Sequence, residues 1–169
     1  MSIFKPKIYQ KSIYNINYNL LKKQDIKVII FDLDNTLLGA KEDNPNDKLI
    51  NFIKKISTDF KVIVASNNTK KRVQAICDKL ECDYLYSILK PTKLMKKYFL
   101  RKYQYDFSEV VIIGDQIVTD IFMGNRLGIK TILIDPVSRD NKVTFLNRLI
   151  EKIIMKRIKV ERGKYYEEE

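Results

Sequence analysis

The 169-residue sequence contains no histidine and only two cysteines, Cys77 and Cys82. Zinc sites are built from paired cysteines and histidines, so this sequence does not offer a zinc arrangement. Two cysteines that lie five residues apart are also too few for a disulfide framework. We therefore expect both to be reduced thiols in a cytoplasmic protein.

Long apolar runs are also missing. No uncharged apolar stretch is long enough for a transmembrane helix, and the N-terminus M-S-I-F-K-P-K lacks the apolar core of a signal peptide. We find no internal repeat, linker or low-complexity segment. Because 45% of the residues are hydrophobic, the chain can bury one sizeable core, and we expect a single domain over residues 1–169.

Basic residues outnumber acidic ones by 32 to 21, and the excess lies at the two ends of the chain. Residues 1–27 contain six lysines and one aspartate, and residues 139–164 contain nine basic and three acidic residues. Such segments favour an anionic membrane surface or nucleic acid, although a basic surface can also serve solubility alone. Since the sequence lacks an RNA-binding signature such as RNP1, we expect a peripheral contact with the inner face of the membrane rather than with nucleic acid.

The basic segment 139–164 also has helical periodicity. Its apolar residues recur at steps of three and four, so they share one face of the predicted helix. That face can pack on the sheet or lie on a membrane surface. We expect the half up to about residue 150 to pack, and the half formed by residues 151–164 to be attracted to anionic lipid.

Strand and helix patterns alternate after an N-terminal extension, residues 1–26, in which only short helical pieces are expected. The predicted strands are 27–31, 61–65, 84–86, 110–113 and 131–134. The predicted helices are 46–56, 69–80, 91–103, 117–127 and 141–160. This alternation predicts an α/β fold, a doubly wound three-layer α/β/α sandwich around a five-stranded parallel sheet.

The most informative stretch is 27–38, which reads K-V-I-I-F-D-L-D-N-T-L-L. A strand of buried type ends abruptly in Asp32 and Asp34. Because side chains alternate along a strand, both carboxylates project to the same side at its carboxyl end, where ligands bind in open α/β sheets. Two close carboxylates repel each other unless a cation or a shared proton relieves them, although Asp and Asn also favour turns and helix caps.

Three further stretches resemble motifs of one superfamily. They read V-I-V-A-S-N-N-T at 62–69, L-K-P at 89–91 and V-V-I-I-G-D-Q-I-V-T-D at 110–120. Together with D-L-D-N-T, they resemble motifs I to IV of the haloacid dehalogenase (HAD) superfamily, in the same order. With G-N-R-x-G at 124–128, the sequence resembles the bacterial YqeG family of HAD subclass IIIA phosphatases over nearly its whole length. The resemblance implies that motif I lies on the central strand of a HAD-like Rossmannoid sheet, with strand order 5-4-1-2-3.

The resemblance also implies a Mg²⁺-dependent phosphomonoester hydrolase that acts through an aspartyl-phosphate intermediate. Asp32 would be the nucleophile, and Asp34 the general acid and base. Mg²⁺ takes oxygen ligands, and those implied here are the carboxylates of Asp32 and Asp115 and the backbone carbonyl of Asp34. Asp120 is a further candidate ligand, although an acid at a helix N-terminus is also favourable by itself.

Ser66, Asn67 and Lys90 are the residues that the resemblance places at the substrate's phosphoryl group. Ser66 would form a hydrogen bond to that group, and Lys90 would balance its charge and that of Asp32. Each residue type also has a simpler interpretation. Serine and asparagine are common helix caps, and a lysine usually lies on the solvated surface.

The loop of residues 39–45 is too short for the substrate-covering cap domain of many HAD enzymes, so we expect no cap and an open site. An open site favours a large or surface-bound phosphorylated substrate. YqeG-type proteins are similar to the mitochondrial HAD phosphatase that dephosphorylates phosphatidylglycerophosphate, and the basic ends agree with a lipid head group at an anionic surface. The alternatives are a soluble nucleotide or sugar phosphate as substrate, or a non-catalytic HAD-fold protein that binds nucleic acid.

Overall fold

A parallel sheet forms the centre of the structure, a computed structural model that describes residues 2–90, 92, 94–138, 153–158 and 161–163. Within these residues the sheet has six strands in the order β1-β6-β5-β2-β3-β4. The strands are Ile8–Gln10 (β1), Val28–Phe31 (β2), Lys61–Ala65 (β3), Asp83–Leu85 (β4), Val110–Gly114 (β5) and Lys130–Ile134 (β6). The predicted order of the five expected strands is confirmed.

The two central strands, β2 and β5, are buried along their whole length. Helices cover both of their faces, which explains why these strands read as continuous apolar runs instead of alternating ones. In the register of the sheet, Phe31 is paired with Val64 on one side and with Ile113 on the other. The residues that follow these three positions therefore reach the same edge of the sheet.

The α-helices are Tyr18–Lys23 (α1), Asp47–Ile56 (α2), Lys70–Leu80 (α3), Leu94–Lys102 (α4) and Phe122–Arg126 (α5). Asn46, the first residue of the predicted helix 46–56, caps α2 by accepting a hydrogen bond from the Leu49 backbone N–H at 2.9 Å. Apolar residues of α2 and α3 pack in one core cluster, and those of α4 and α5 in another. Alternate residues of β2 belong to different clusters, so the two clusters lie on opposite faces of the sheet. This confirms the predicted α/β/α arrangement.

The prediction of five strands is wrong by one, because the N-terminal extension supplies the edge strand β1. Its Ile8 is paired with Ile132 of β6. The Asn125 side chain of α5 donates hydrogen bonds to the carbonyls of Ile3 at 2.8 Å and Lys5 at 2.9 Å. A three-residue strand held by contacts more than 100 residues away leaves no local pattern in the sequence.

Most of the predicted C-terminal helix lies outside the described residues. Residues 153–158 are helical, and Ile154 and Met155 pack against a small apolar cluster. That cluster consists of Ile117, Ile121 and Leu133. Arg162 then forms an ion pair with Asp135 at 2.6 Å. Part of the half that was expected to face lipid therefore contacts the protein.

No helix within the described residues combines the length and the apolar character that are needed to cross a membrane.

Candidate active site

Four ionisable side chains meet at the carboxyl edge of the central strands. Asp32 follows β2, Asp115 follows β5, Asp120 lies in the turn after β5, and Lys90 belongs to the loop after β4. All four are buried, with exposed fractions between 1% for Asp120 and 9% for Lys90. Oxygens of the three carboxylates lie within 4.8 Å of one another. The structure thus brings together residues that are 88 positions apart in the chain.

Lys90 lies between two of the carboxylates. Its ammonium group donates hydrogen bonds to Asp32 and, at 2.7 Å, to Asp120. The side chain of Asn67 holds the backbone of Lys90 from both directions, since its Nδ2 donates to the Lys90 carbonyl at 3.2 Å and its Oδ1 accepts from the Lys90 N–H at 2.6 Å. The amide side chain of Asn67, which was predicted to contact phosphate, therefore positions the lysine.

The charges in this cluster are not balanced. Burial raises the pKa of Asp32 to about 8, with Lys90 lowering the pKa while Asp120 and Asp115 raise it further. For Lys90, burial alone would lower the pKa, but Asp120 and Asp32 outweigh it and the pKa is raised. One buried cation therefore faces three carboxylates, and a cation bound between them would relieve their repulsion.

Asp120 reaches the cluster from a π-helical turn, Ile117–Ile121, which forms the first part of the predicted helix 117–127. Its Oδ2 accepts a hydrogen bond from the Gln116 backbone N–H at 3.2 Å. A Cβ on Gly114 would lie 2.4 Å from the Asp120 carboxyl carbon, so only glycine fits where β5 ends. π-Helical turns are rare and occur frequently at functional sites.

Asp34 lies apart from this cluster, and its side chain is 29% exposed. Arg72 donates from Nη1 to Asp34 Oδ1 at 2.6 Å, and Asn68 donates to Oδ2 at 3.4 Å. Arg72 was not among the predicted site residues. The sequence contained a hint that Arg72 has a special role. The helix α3 begins with K-K-R, although the helix dipole favours acidic residues and disfavours basic ones at this end.

Comparison with known proteins agrees with this geometry. Residues 1–138 match the family model described as mitochondrial PGP phosphatase. The chain belongs to this family. It is 35% identical over 158 residues to the probable phosphatase YqeG of Bacillus subtilis, covering 92% of both chains. It is 25% identical over 164 residues to phosphatidylglycerophosphate phosphatase 1, chloroplastic/mitochondrial, of Arabidopsis thaliana, covering 90% of this chain and 47% of that protein.

Solved structures show the same fold. A predicted HAD-like hydrolase from Porphyromonas gingivalis has a TM-score of 0.54 at 15% identity, covering 74% of this chain and 98% of its own. An uncharacterised protein from Listeria monocytogenes has a TM-score of 0.53 at 16% identity, covering 80% of this chain and all of its own. The chain is a phosphatase with a HAD-like fold.

In this HAD-like phosphatase, Asn35 and Thr36 shape the loop of motif I. Asn35 has a φ of 64°, a left-handed conformation that asparagine tolerates better than most residues. It accepts hydrogen bonds from Ser138 Oγ at 2.7 Å and, through its carbonyl, from the Val137 N–H at 2.8 Å. Thr36 donates to Asp115 at 3.4 Å. The loop that carries Asp32 and Asp34 is thus linked to the segment after β6.

Ser66 lies where β3 ends, next to the end of β2, and is 1% exposed. Its Oγ accepts a hydrogen bond from the Asn68 backbone N–H at 3.0 Å, which closes a local turn, whereas the N-cap position of α3 is Thr69. A hydroxyl group that accepts such a bond still has a proton to donate. The turn formed by Ser66 and Asn68 also orients the Asn68 side chain toward Asp34.

Proposed function

We propose that this phosphatase hydrolyses phosphomonoesters with Mg²⁺ as cofactor and with Asp32 as the nucleophile. The observation that carries the proposal is the buried cluster of three carboxylates around one lysine. Among the described residues near the cluster, the donors are carboxylate oxygens, without imidazole or thiolate. Such oxygen ligands suit a hard ion such as Mg²⁺ and do not suit zinc.

The Asp32 and Asp115 carboxylates and the backbone carbonyl of Asp34 would hold the ion. Asp120 is the less available ligand, because its oxygens already accept hydrogen bonds from Lys90 and from the Gln116 backbone. Its part would be to hold the lysine beside Asp32. When bound, Mg²⁺ supplies positive charge that compensates the carboxylates and the phosphoryl oxygens.

The reaction has two displacements. An Asp32 oxygen attacks phosphorus, the bond from phosphorus to the ester oxygen breaks, and that oxygen takes a proton from Asp34. Water then attacks the aspartyl-phosphate, Asp34 accepts the proton of the water, and the bond between phosphorus and Asp32 breaks to release inorganic phosphate. Lys90 and Ser66 would stabilise the charge of the phosphoryl oxygens. The backbone around Asn67 would contribute through its N–H groups.

The intermediate provides the direct test. Purified Asp34→Asn protein, mixed with Mg²⁺ and an aryl phosphate, should gain the mass of one phosphoryl group, because formation of the intermediate needs the general acid less than its hydrolysis needs the general base. Asp32→Asn protein is the matched control and should gain no mass. An adduct of equal yield on Asp32→Asn protein would contradict the assignment of the nucleophile.

We propose phosphatidylglycerophosphate as the physiological substrate. The family description and the name of the Arabidopsis relative support it. A loop of turns, residues 39–46, links motif I to α2 without an inserted cap, so a lipid head group could reach the site. A panel with this lipid in mixed micelles beside nucleotide and sugar phosphates should show the highest kcat/KM for the lipid. A higher kcat/KM for a nucleotide or a sugar phosphate would mean that the physiological substrate belongs to that class and is not the lipid.

Association with an anionic membrane surface from the cytoplasmic side is part of the same proposal. Lys156 and Arg157 are exposed on the described helical turn 153–158, whereas Arg162 is paired with Asp135. Each basic residue near such a surface contributes about 1 kcal/mol of binding at low salt. Co-sedimentation with anionic vesicles should be lost at high salt and weakened by Lys156→Gln with Arg157→Gln. Absence of binding at low salt would remove the membrane from the proposal.

A further inference from the structure

Arg72 is the one cation that the structure places against Asp34 within the described residues. It lies in the first turn of α3, and its side chain is 17% exposed. Besides its 2.6 Å bond to Asp34, its Nε donates to Asp43 at 2.7 Å. Its Nη2 donates to the carbonyls of Ala40 at 3.3 Å and Glu42 at 3.0 Å. One guanidinium group therefore links α3, the motif I loop and the loop of residues 39–45.

These contacts argue against a role in binding substrate. An arginine has five N–H donors, and the four contacts employ all three of its nitrogens. The acceptors lie in different directions and match the planar fork of a guanidinium group, which the point charge of a lysine cannot reproduce. A group that is engaged in this way holds its neighbours in place and has little capacity left for a phosphate.

We infer that Arg72 is a positioning residue, which orients Asp34 for proton transfer and links that carboxylate to the loop of residues 39–45. This inference rests on the proposed role of Asp34 as general acid and base. Arg72 occupies Oδ1 of Asp34, whereas Oδ2 has, among the residues that the structure describes, only the 3.4 Å contact with Asn68. Oδ2 is therefore the oxygen that exchanges the proton with the leaving group and later with water.

The leaving group of the substrate separates this role from a structural one. An alkoxide needs a proton from Asp34 as the ester bond breaks, whereas an aryl oxide leaves readily without one. Misplacing Asp34 should therefore reduce kcat/KM for an alkyl phosphate more than for an aryl phosphate. A variant that only lowers the fraction of folded enzyme reduces both values by the same factor.

The experiment measures kcat/KM of the full-length chain with Mg²⁺ for an aryl and an alkyl phosphate. Arg72→Gln should lose about 100-fold on the alkyl ester and about 5-fold on the aryl ester, because general acid catalysis contributes about 10²–10⁴-fold. Arg72→Lys should recover part of the loss on the alkyl ester, since it keeps the charge but not the fork. Lys71→Gln, an exposed neighbour in the same turn, is the matched control and should stay within about 2-fold of the wild type on both esters.

Equal losses on the two esters, or no loss, for Arg72→Gln would overturn the inference. Asp34→Asn is measured beside it as the reference for a missing acid. If Asp34→Asn itself shows no dependence on the leaving group, the proposed role of Asp34 fails, which is a different result. If Arg72→Gln does not fold, Asp43→Asn and Arg72→Lys replace it, and an unchanged ratio between the two esters in both variants overturns the inference.

Discussion

The candidate active site has two parts that differ in burial and in charge balance. The floor consists of Asp32, Lys90, Asp115 and Asp120, and the rim consists of Asp34, Asn68, Arg72 and Asp43. Floor side chains are nearly inaccessible, whereas the side chain of Asp43 in the rim is 68% exposed. In the floor one cation faces three carboxylates, and in the rim one guanidinium group pairs with two.

This difference shows how burial decides whether charged groups shift one another's pKa values or mainly orient one another. In the floor the low dielectric makes excess negative charge costly, and the pKa of Asp32 rises to about 8 as a result. In the rim, water screens the charges, so ion pairs there contribute little to stability and serve mainly to orient groups. The burial and charge of the floor agree with the proposed cation site, and the exposure of the rim agrees with the proposed proton transfer by Asp34.

The largest expected effect comes from Asp32, the proposed nucleophile in the floor. Asp32→Asn keeps the shape of the side chain but replaces the carboxylate with a weakly nucleophilic amide, so turnover of an aryl phosphate should fall by about 10⁴-fold or more. Steady-state kinetics with Mg²⁺ measure it, and circular dichroism checks the fold. Turnover near the wild-type level would disprove the mechanism.

Removing the cation of the floor, Lys90, should reduce the free energy of unfolding much more than removing the cation of the rim, Arg72. Lys90→Met removes the cation that pairs with the buried Asp32 and Asp120 carboxylates and should reduce the free energy of unfolding by about 3–5 kcal/mol. Arg72→Met, the matched variant of the rim, should cost only about 1–2 kcal/mol, because solvent and the loop can relax around it. Urea unfolding without Mg²⁺ measures both, and equal costs would contradict the division into floor and rim.

The proposed binding of Mg²⁺ should depend on pH. Because the pKa of Asp32 is about 8 in the metal-free fold, the carboxyl group holds a proton below that pH, and binding of the ion must displace it. Apparent affinity should rise by about tenfold per pH unit up to about pH 8 and then level off.

The same pKa predicts the stability of the metal-free protein. In the unfolded chain Asp32 ionises near its ordinary value of 3.8, so between that pH and about 8 the folded state holds the extra proton. Stability without Mg²⁺ should therefore fall as pH rises through this range, and the stabilisation by Mg²⁺ should grow. Calorimetric titration and thermal melts between about pH 6 and about pH 9 measure both effects. Affinity that does not change with pH would refute the shifted ionisation.

The smallest expected effect concerns Gly114. A methyl group there would meet Asp120 at 2.4 Å, so Gly114→Ala should displace that carboxylate, cost about 1–3 kcal/mol and weaken Mg²⁺ binding. Gly128→Ala is the control, because Gly128 has open space around it and a φ of 71°. It should cost about 1 kcal/mol through backbone strain alone and leave Mg²⁺ affinity unchanged. Similar loss of affinity in both variants would argue against steric displacement of Asp120.

Residues that stand directly after buried strands could be predicted from the sequence. Strand β3 begins and ends at the predicted residues, and Asp32, Ser66 and Asp115 lie at the predicted sheet edge. The reason is that continuous apolar runs identify the strands of a parallel sheet, and the sheet then fixes where the next polar residue lies. Local chemistry also favours asparagine at helix starts, where Asn17 accepts a hydrogen bond from the Leu20 backbone N–H of α1 at 3.0 Å and Asn46 caps α2.

By itself, the sequence determined the α/β alternation and the charged residues at the strand ends, and its resemblance to the HAD superfamily implied the strand order. Tertiary structure alone decided that residues 8–10 form an edge strand, that Asn67 holds the backbone of Lys90, and that Arg72 contacts Asp34 across 38 positions of chain. These features depend on a few hydrogen bonds between segments that are distant in the sequence. Such bonds leave no periodicity in the sequence, because they form only after the packing of the sheet and its helices has brought the segments together.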